Sequence, residues 1–390
     1  MVEEFLPSPH PLTPPRSEQG MLFWLRLLRS RRVGPTTFHR LLAEHGSAEA
    51  ALEALPEVAR AAGVTEYQTC PEGVAVAELK AGKLAGARIV AYGGSDYPKA
   101  LMTLPDAPPL LWVIGNTALL KQPMVALVGA RNASSLGTRM ARSLSAALTK
   151  DGYVVVSGLA RGVDTAAHLA ALEGGTVAVM AGGVDVIYPA ENAVLGQEIG
   201  EQGLRISEQP MGTVPQARHF PTRNRIISGL AEAVVVVEAA ARSGSLITAK
   251  NALDQGREVL VVPGHPFDAR AAGCNMLIRD GATLVRNAAD VIEAISSRAP
   301  QPDVQPDLPL AMPPANAPTT VPAAQPQTRS LQDISQLHSE ILSRLGPSPL
   351  AEDQLIRDLA TPAGKVSPEL LTLELEGKII RQPGGLLALV

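Results

Sequence analysis

From Arg88 to Leu284 short apolar runs recur: RIVAYG, VALVGA, YVVVSG, TVAVMAGG, LRISEQ, AVVVVEA and EVLVVPG. Stretches with helical spacing lie between most of them. Runs that are apolar throughout are what a parallel strand looks like when both its faces are covered. The repeated order of strand, glycine-bearing loop and helix predicts an α/β fold, an extended Rossmann-like doubly wound sheet over residues 88–298. Ligands of such sheets lie at the carboxyl ends of the strands, and the unusual residues of this chain fall there.

The period differs on either side. Residues 1–16 are rich in proline and are expected to be loose. Over residues 17–87, MLFWLRLLRS has apolar positions at helical spacing, and VGPTTFHRLLAEHGS reads as turn, helix and glycine stop. This predicts a small helical module, SAM-like or helix-hairpin-helix-like. A DNA-binding hairpin would offer a Gly-x-Gly turn; Val33-Gly34-Pro35 stands there instead, which favours a packing role. Residues 299–330 hold nine prolines and read as an extended, semi-stiff linker. Residues 331–390 read as three helices and a two-stranded wing around Pro383-Gly384-Gly385, a winged-helix pattern. This module has eight acids against five bases, and SPELLTLELEG brings Glu369, Glu374 and Glu376 to the recognition-helix position. Those charges would repel phosphate, so the module reads as a protein-contact or regulatory element rather than a DNA reader.

Composition narrows the classes. The net charge of −4 excludes a uniformly basic nucleic-acid binder, so any such binding must rest on local clustering. Cys70 and Cys274 are far apart and match no metal-ligand spacing. No disulfide framework is expected, and a reducing cytoplasm is. The start, MVEEFLPSPHPLTPP, lacks the pattern of a signal peptide, and no apolar stretch is long enough to span a membrane. No metal or cofactor is expected.

Charge is arranged more than abundant. No acid lies between Asp106 and Asp151, a stretch holding Arg131, nor between Glu208 and Glu232, which holds Arg218, Arg223 and Arg225. Arginine forks onto phosphate oxygens in a way lysine cannot. Arg131, Arg161, Arg223 and Arg225 each lie near a strand end or glycine turn and are expected to share one face. Internal ion pairing is the alternative for each. Three loops share a geometry: VGARNASSLG around Gly129, SGLARGVD with Ser157, Gly158 and Gly162, and ARSGSLITAK with Ser243, Gly244, Ser245 and Lys250. None is a dinucleotide or Walker fingerprint. Together they could line a groove for several phosphates, since amides at helix N-termini attract anions. Asp164 is expected to cap the helix after the second loop, and Glu238 to serve as a structural hydrogen-bonding group. No metal pair, nucleophile elbow or Ser/His/Asp set emerges.

VALVGARNASSLG, VVVSGLARGVDTAAHLAAL, AGGVDVIYPAEN, the long segment from SEQPMGTVPQARHFPTRNR to GREVLVVPG, and GCNMLIRDGA resemble the DNA-processing protein A (Smf) family. The likeness runs from about residue 90 to residue 288 and is weaker in the flanking modules. It implies a homodimeric single-stranded DNA-binding protein that protects incoming strands and helps load the RecA recombinase in natural transformation, without catalysis. It assigns DNA contacts to Arg131, Ser157, Gly158, Arg161, Gly162, Arg223, Asn224, Arg225, Ser243, Gly244 and Ser245, and Gly129, Asn192, Phe220 and Lys250 are taken with them as candidate DNA contacts. It places a self-contact near Met276, Leu277, Ile278 and Leu284. Two departures matter: Ala190 follows Tyr188-Pro189 where relatives have lysine, and His219 precedes Phe220-Pro221 where asparagine is common. Phe220 and Tyr188 are the aromatics available for stacking, or else core residues. The rival reading is a nucleotide-binding or nucleotide-hydrolysing enzyme of the same fold, whose loop ends in a catalytic glutamate. Lys250 occupies that place here. A third reading is a protein-binding adaptor resting on the acidic C-terminal module.

Overall fold

The computed structural model describes residues 13–62, 64, 66–298, 331–345, 350–359, 361–375, 378–382 and 386–389. The expected linker at 299–330, the wing turn at 383–385 and Glu376 lie outside these residues, as does most of 1–16. The chain divides near residue 304 into two compact units, each treated by itself.

The first unit begins with four helices, α1 (Glu18–Arg29), α2 (Pro35–His45), α3 (Ala48–Ala61) and α4 (Glu72–Leu84). Ser17 and Ser47 cap α1 and α3 through their hydroxyls, and Gly46 ends α2 in the left-handed region at φ 76°. Their core holds Trp24 edge-on to Phe38 at 5.1 Å and also takes in Ala91 and Leu110 from the sheet. The module is therefore packed onto the sheet. A buried network fastens it. Arg29 forks onto Glu78 at 2.8 and 2.9 Å, and the Trp112 indole N–H donates to the same carboxylate at 2.8 Å.

The sheet comprises β1 (Arg88–Ala91), β2 (Leu110–Gly115), β3 (Met124–Gly129), β4 (Val154–Ser157), β5 (Thr176–Val179), β6 (Leu204–Ser207), β7 (Ala233–Glu238), β8 (Glu258–Val261) and β9 (Thr283–Leu284). Their order is β1-β2-β6-β5-β4-β3-β7-β8-β9. From β6 to β9 all neighbours are parallel; β2 and β1 are added antiparallel at one edge. The sheet is thus mixed rather than wholly parallel. RIVAYG is an antiparallel edge strand, and β2 was absent from the predicted runs. Between these strands run α5 (Lys99–Met102), α6 (Ser135–Lys150), α7 (Val163–Ala171), α8 (Ala193–Gln202), α9 (His219–Leu230), α10 (Ser245–Asp254) and α11 (Ala272–Arg279), and α12 (Ala288–Arg298) follows β9. One face packs against α9 and α10, the other against α6, α7 and α12, and both layers are mainly Val, Leu, Ile and Ala, with Tyr97, Met124 and Cys274 buried in the first. The order in which strands are added reverses between the parallel neighbours β3 and β7, so the carboxyl ends of these two strands bound the crevice where doubly wound sheets take ligands. Among the described residues no helix is long and apolar enough to cross a membrane.

The second unit has α13 (Leu331–Arg344), β10 (Leu350–Ala351), α14 (Glu352–Asp358), α15 (Ala363–Leu375), β11 (Ile379–Gln382) and β12 (Leu386–Leu389), with strand order β10-β12-β11. This is a winged helix. One expectation is corrected: Glu369 is buried and meets His338 at 2.8 Å, so it does not present charge to a phosphate.

The Arg29–Glu78–Trp112 network gives a stability prediction. Glu78→Ala leaves a largely buried guanidinium and an indole N–H without their acceptor, and should cost about 3 kcal/mol in urea titrations. A change below about 1 kcal/mol would show that the network is not what anchors the module.

Candidate nucleic-acid interface

At the carboxyl ends of β3, β4 and β7 lies a cleft of about 900 Å³. Gly129, Arg131, Phe220, Asn224, Ser243, Gly244 and Ser245 line it, as the sequence led one to expect. Asn132, Arg242 and Arg270 join them. A smaller hollow of about 450 Å³ shares Arg131, Tyr188 and Phe220 with it and carries Arg161 on its rim. Arg161 is exposed and stands 3.5 Å from an equally exposed Glu191, a contact worth little in water.

The aromatic floor is specific. Phe220 is half-buried at the start of α9. The Arg131 guanidinium lies 5.1 Å from its ring centroid, that of Arg223 lies 6.0 Å away, and Tyr188 meets it edge-on at 5.9 Å. Arg131 and Tyr188 are both exposed, Tyr188 by 49%. The cation is thus laid on a π-face at the cleft wall with its N–H groups free of an acid partner among the described contacts. The α9 and α10 helices both begin at the cleft with no acid in their first turn, and the one side chain at either start is the Ser243 hydroxyl, which accepts from the Ser245 amide at 3.4 Å, so no negative charge offsets their positive ends.

The start of α6 and the second loop are already filled. The Glu238 carboxylate takes the Ser134 amide at 3.1 Å and its hydroxyl at 2.7 Å, while that hydroxyl caps the Gly137 amide at 2.9 Å. It occupies the N-terminus of α6. Asp164 does not cap α7, whose N-cap is Gly162. Its carboxylate turns back to accept from the amides of Gly158 at 3.1 Å and Ala160 at 3.3 Å. Between them the Leu159 amide donates to His168 Nε2 at 3.3 Å. The second loop therefore spends three successive amides inward, and its expected role as a phosphate cradle is corrected.

Several assigned contacts turn inward for the same reason. The Ser157 hydroxyl is buried and donates to the Leu127 carbonyl at 2.6 Å. Asn192 is buried and clamps the Leu159 carbonyl and the Thr165 hydroxyl, both at 2.9 Å. Gly158 is required by packing, since a Cβ there would fall 2.1 Å from Arg223 Nη1. Gly162 has φ 80°, and its Cβ would meet the Ala130 carbonyl at 2.2 Å; it lets two loops touch. Lys250 is exposed on α10 but lies about 140° around the helix from Ser245, outside the cleft lining.

Arg223 and Arg225 do not share a face. Residues two apart on a helix point about 200° from one another. Arg223 is 6% exposed beneath the cleft, where its Nη1 donates to the carbonyls of Gly158 and Val179. Burial lowers its pKa to about 10, with Asp164 opposing, so it stays cationic at neutral pH. Arg225 runs the other way, to Asp106 at 3.1 Å and onto Glu208. It is an internal ion-pair partner. Arg242 and Arg270 were missed as site residues. Arg242 directly precedes the third loop, which is a usable signal; Arg270 stands beside Asp268 in sequence and reads as a local ion pair. Among the described residues no group of His, Cys, Asp or Glu is placed to hold a metal ion.

Of the expected self-contact residues, Met276 and Leu284 are 37% and 43% exposed, whereas Leu277 and Ile278 pack partly against the chain's own core. Leu284 belongs to β9, the free edge of the sheet.

A cleft at the switch point of a doubly wound sheet, lined by arginines and one aromatic floor, defines a class: a Rossmann-like protein with a cationic cleft at its strand-order switch. Comparison with known proteins makes this particular. The model of the DNA recombination-mediator protein A family matches residues 88–296, that of the DprA-like N-terminal HHH domain 18–81, and that of the DprA winged helix domain 322–385. The chain belongs to the DNA recombination-mediator protein A family. It is 35% identical over 305 residues to Protein Smf of Synechocystis sp., covering 74% of this chain and 77% of that one. It is 47% identical over 198 residues to the DNA processing protein DprA of Streptococcus pneumoniae, covering 50% and 70%. The X-ray structure of the pneumococcal protein aligns with TM-score 0.55 and 34% identity over 71% of this chain and 93% of that chain. A Helicobacter pylori DNA processing protein A, whose structure addresses its single-stranded DNA binding mode, aligns with TM-score 0.50 and 31% identity over 54% and 96%.

Two predictions follow from the inward-turned groups. Arg225→Ala strands Glu208 in the interior and should cost about 3 kcal/mol of stability in denaturant titrations; an unchanged midpoint would refute the buried pair. His168 is held neutral by burial, its pKa lowered to about 3. Between there and its ordinary value near 6.5 the unfolded chain binds the extra proton. Stability should therefore fall as pH drops through that window, with a contribution approaching 1.4 kcal/mol per pH unit. The slope should shrink in His168→Gln; equal slopes in both proteins would rule this out.

Proposed function

We propose that the cleft binds single-stranded DNA, gripping the backbone with Arg131, Arg161, Arg242 and Arg270 and stacking bases against Phe220 and Tyr188. The observation that carries this is the exposed Arg131 guanidinium laid on the Phe220 ring at the strand-order reversal. Single strands are held by cationic grooves with aromatic platforms, and this cleft has both. Gly129, Asn224, Ser243, Gly244 and Ser245 shape its walls, while Ser157, Gly158, Gly162, Asn192 and Arg223 support it from beneath. The binding mode studied in the H. pylori relative, and the family's description as a recombination mediator, support the same reading. We extend it to the role the resemblance implies: a non-catalytic, cytoplasmic homodimer that protects incoming strands and helps load RecA in natural transformation. Met276 and Leu284 are the exposed residues of the proposed self-contact. We place the working modules at residues 17–87, 88–298 and 331–390, with 299–330 as their linker. The position of Lys250 outside the cleft, where a hydrolase would need its glutamate, speaks against the enzyme reading.

The test is the salt dependence of binding. If about four phosphates are neutralised, the log–log slope for single strands should be roughly −3, at about −0.7 per phosphate. Arg131→Ala should weaken binding about ten- to a hundred-fold, flatten the slope by a little under one unit, and leave melting almost unchanged. Wild-type affinity with a lowered melting temperature would remove Arg131 from the site.

A further inference from the structure

The loop between β8 and α11 stands between two hollows. Arg270 lines the main cleft. His265 and Asp268 line a second hollow of about 640 Å³, with Arg139, Met140 and Arg286 on its walls. Between them, Phe267 is 95% exposed. In a chain with 3% aromatic residues this is an unusual use of one, because a ring left in water forfeits the free energy its burial would return. The loop that carries the ring is tied at several points. The Asp268 amide donates to the His265 carbonyl and the Ala271 amide to the Asp268 carbonyl, each at 2.9 Å. The Asn275 side chain accepts from the Gly264 amide at 3.3 Å and donates to its carbonyl at 3.0 Å. The Phe267 amide donates to His265 Nδ1 at 3.3 Å, and Arg270 Nε pairs with Asp268 at 3.2 Å and reaches towards Glu238 at 3.8 Å. The ring is held out from a fixed loop, with the His265 imidazole beside it at 5.6 Å and tilted by 41°.

We propose that Phe267, backed by His265, is a second stacking platform that receives unpaired bases as the strand leaves the main cleft past Arg270. The inference rests on the reading of that cleft as a single-strand site. Every base has a π-face, so a lone ring suits a strand of any sequence. The charges beside it also suit a strand. Asp268 is engaged by Arg270 and Asp290 by Arg286, so the acids near the path are each met by a cation, and Arg139 adds another. A protein partner would call for a continuous apolar surface around the ring, and around Phe267 the apolar Pro266 and Ala269 are interrupted by His265, Asp268 and Arg270.

The full-length protein would be titrated with fluorescein-labelled oligothymidines spanning roughly 4 to 16 nucleotides, the range of single-strand site sizes. For Phe267→Ala, short oligomers should bind as to wild type, while the longest should lose about five- to a hundred-fold in affinity with the salt slope unchanged, since no phosphate contact is removed. Phe267→Trp should retain affinity, with its fluorescence quenched by long oligomers and not by short ones. An abasic stretch in the distal half of the oligomer should erase the difference between wild type and Phe267→Ala. Equal binding of wild type and Phe267→Ala at every length overturns the platform while leaving the main cleft intact. So does a change in mass by light scattering without a change in DNA affinity, which would make the ring a contact between copies. Failure of the wild type to bind any oligomer overturns both the cleft reading and the platform.

Discussion

Two buried carboxylates set the electrostatics of the cleft. Asp164 and Glu238 occupy, from inside the protein, the amide clusters at the second loop and at the start of α6 that an external anion would otherwise claim. A carboxylate in such a cluster fixes the loop that holds it, because leaving those amides unpaired would be costly. The cost to binding is that backbone amides there are no longer available to a ligand. The cleft must then draw its positive character from side chains on the rim and from the starts of α9 and α10. That is where Arg131, Arg161, Arg242 and Arg270 are found. Arg223 completes the arrangement from below. It carries the buried charge near Asp164 and ties the carbonyl of Gly158, at the end of β4, to that of Val179, at the end of β5.

The same constraint explains the glycines. Gly158 makes room for Arg223, Gly162 for the Ala130 carbonyl, and Gly137 for Glu238 Oε2, which a Cβ would approach to 2.2 Å. These residues let loops close on one another and on internal charge. None of them is needed to admit a phosphate. What meets the solvent is a rim whose projecting parts, Arg131, Tyr188 and Phe267, are held by neighbours rather than by burial.

Much of this was legible in the sequence. Both-sides-buried strands announce themselves by unbroken valine runs, so β3, β4, β5, β7 and β8 and the doubly wound class of their sheet could be read directly, though not the order of the strands within it. LLWVIG was harder: it follows two prolines and pairs antiparallel beyond the parallel set, and β9 has only two residues. The loops were legible as loops, but their employment was not. Which groups their amides serve depends on Asp164, six residues on from Gly158, and on Glu238, 104 residues from Ser134. Arg223 and Arg225 could have been separated by helical geometry alone, once the helix was known to begin at His219. Glu369 could not, because its partner His338 lies on another helix.

The central claim is that single strands lie along the rim between Arg161 and Arg270, over the ring of Phe220. The most direct measurement is photo-cross-linking of an oligonucleotide carrying 4-thiothymidine, followed by mass spectrometry of the digested adducts. The account predicts adducts on the peptides holding Tyr188 and Phe220, suppressed by competing unlabelled single strand and by high salt. Adducts confined to residues 17–87 or 331–390, with the segment around Phe220 unmodified, would contradict it.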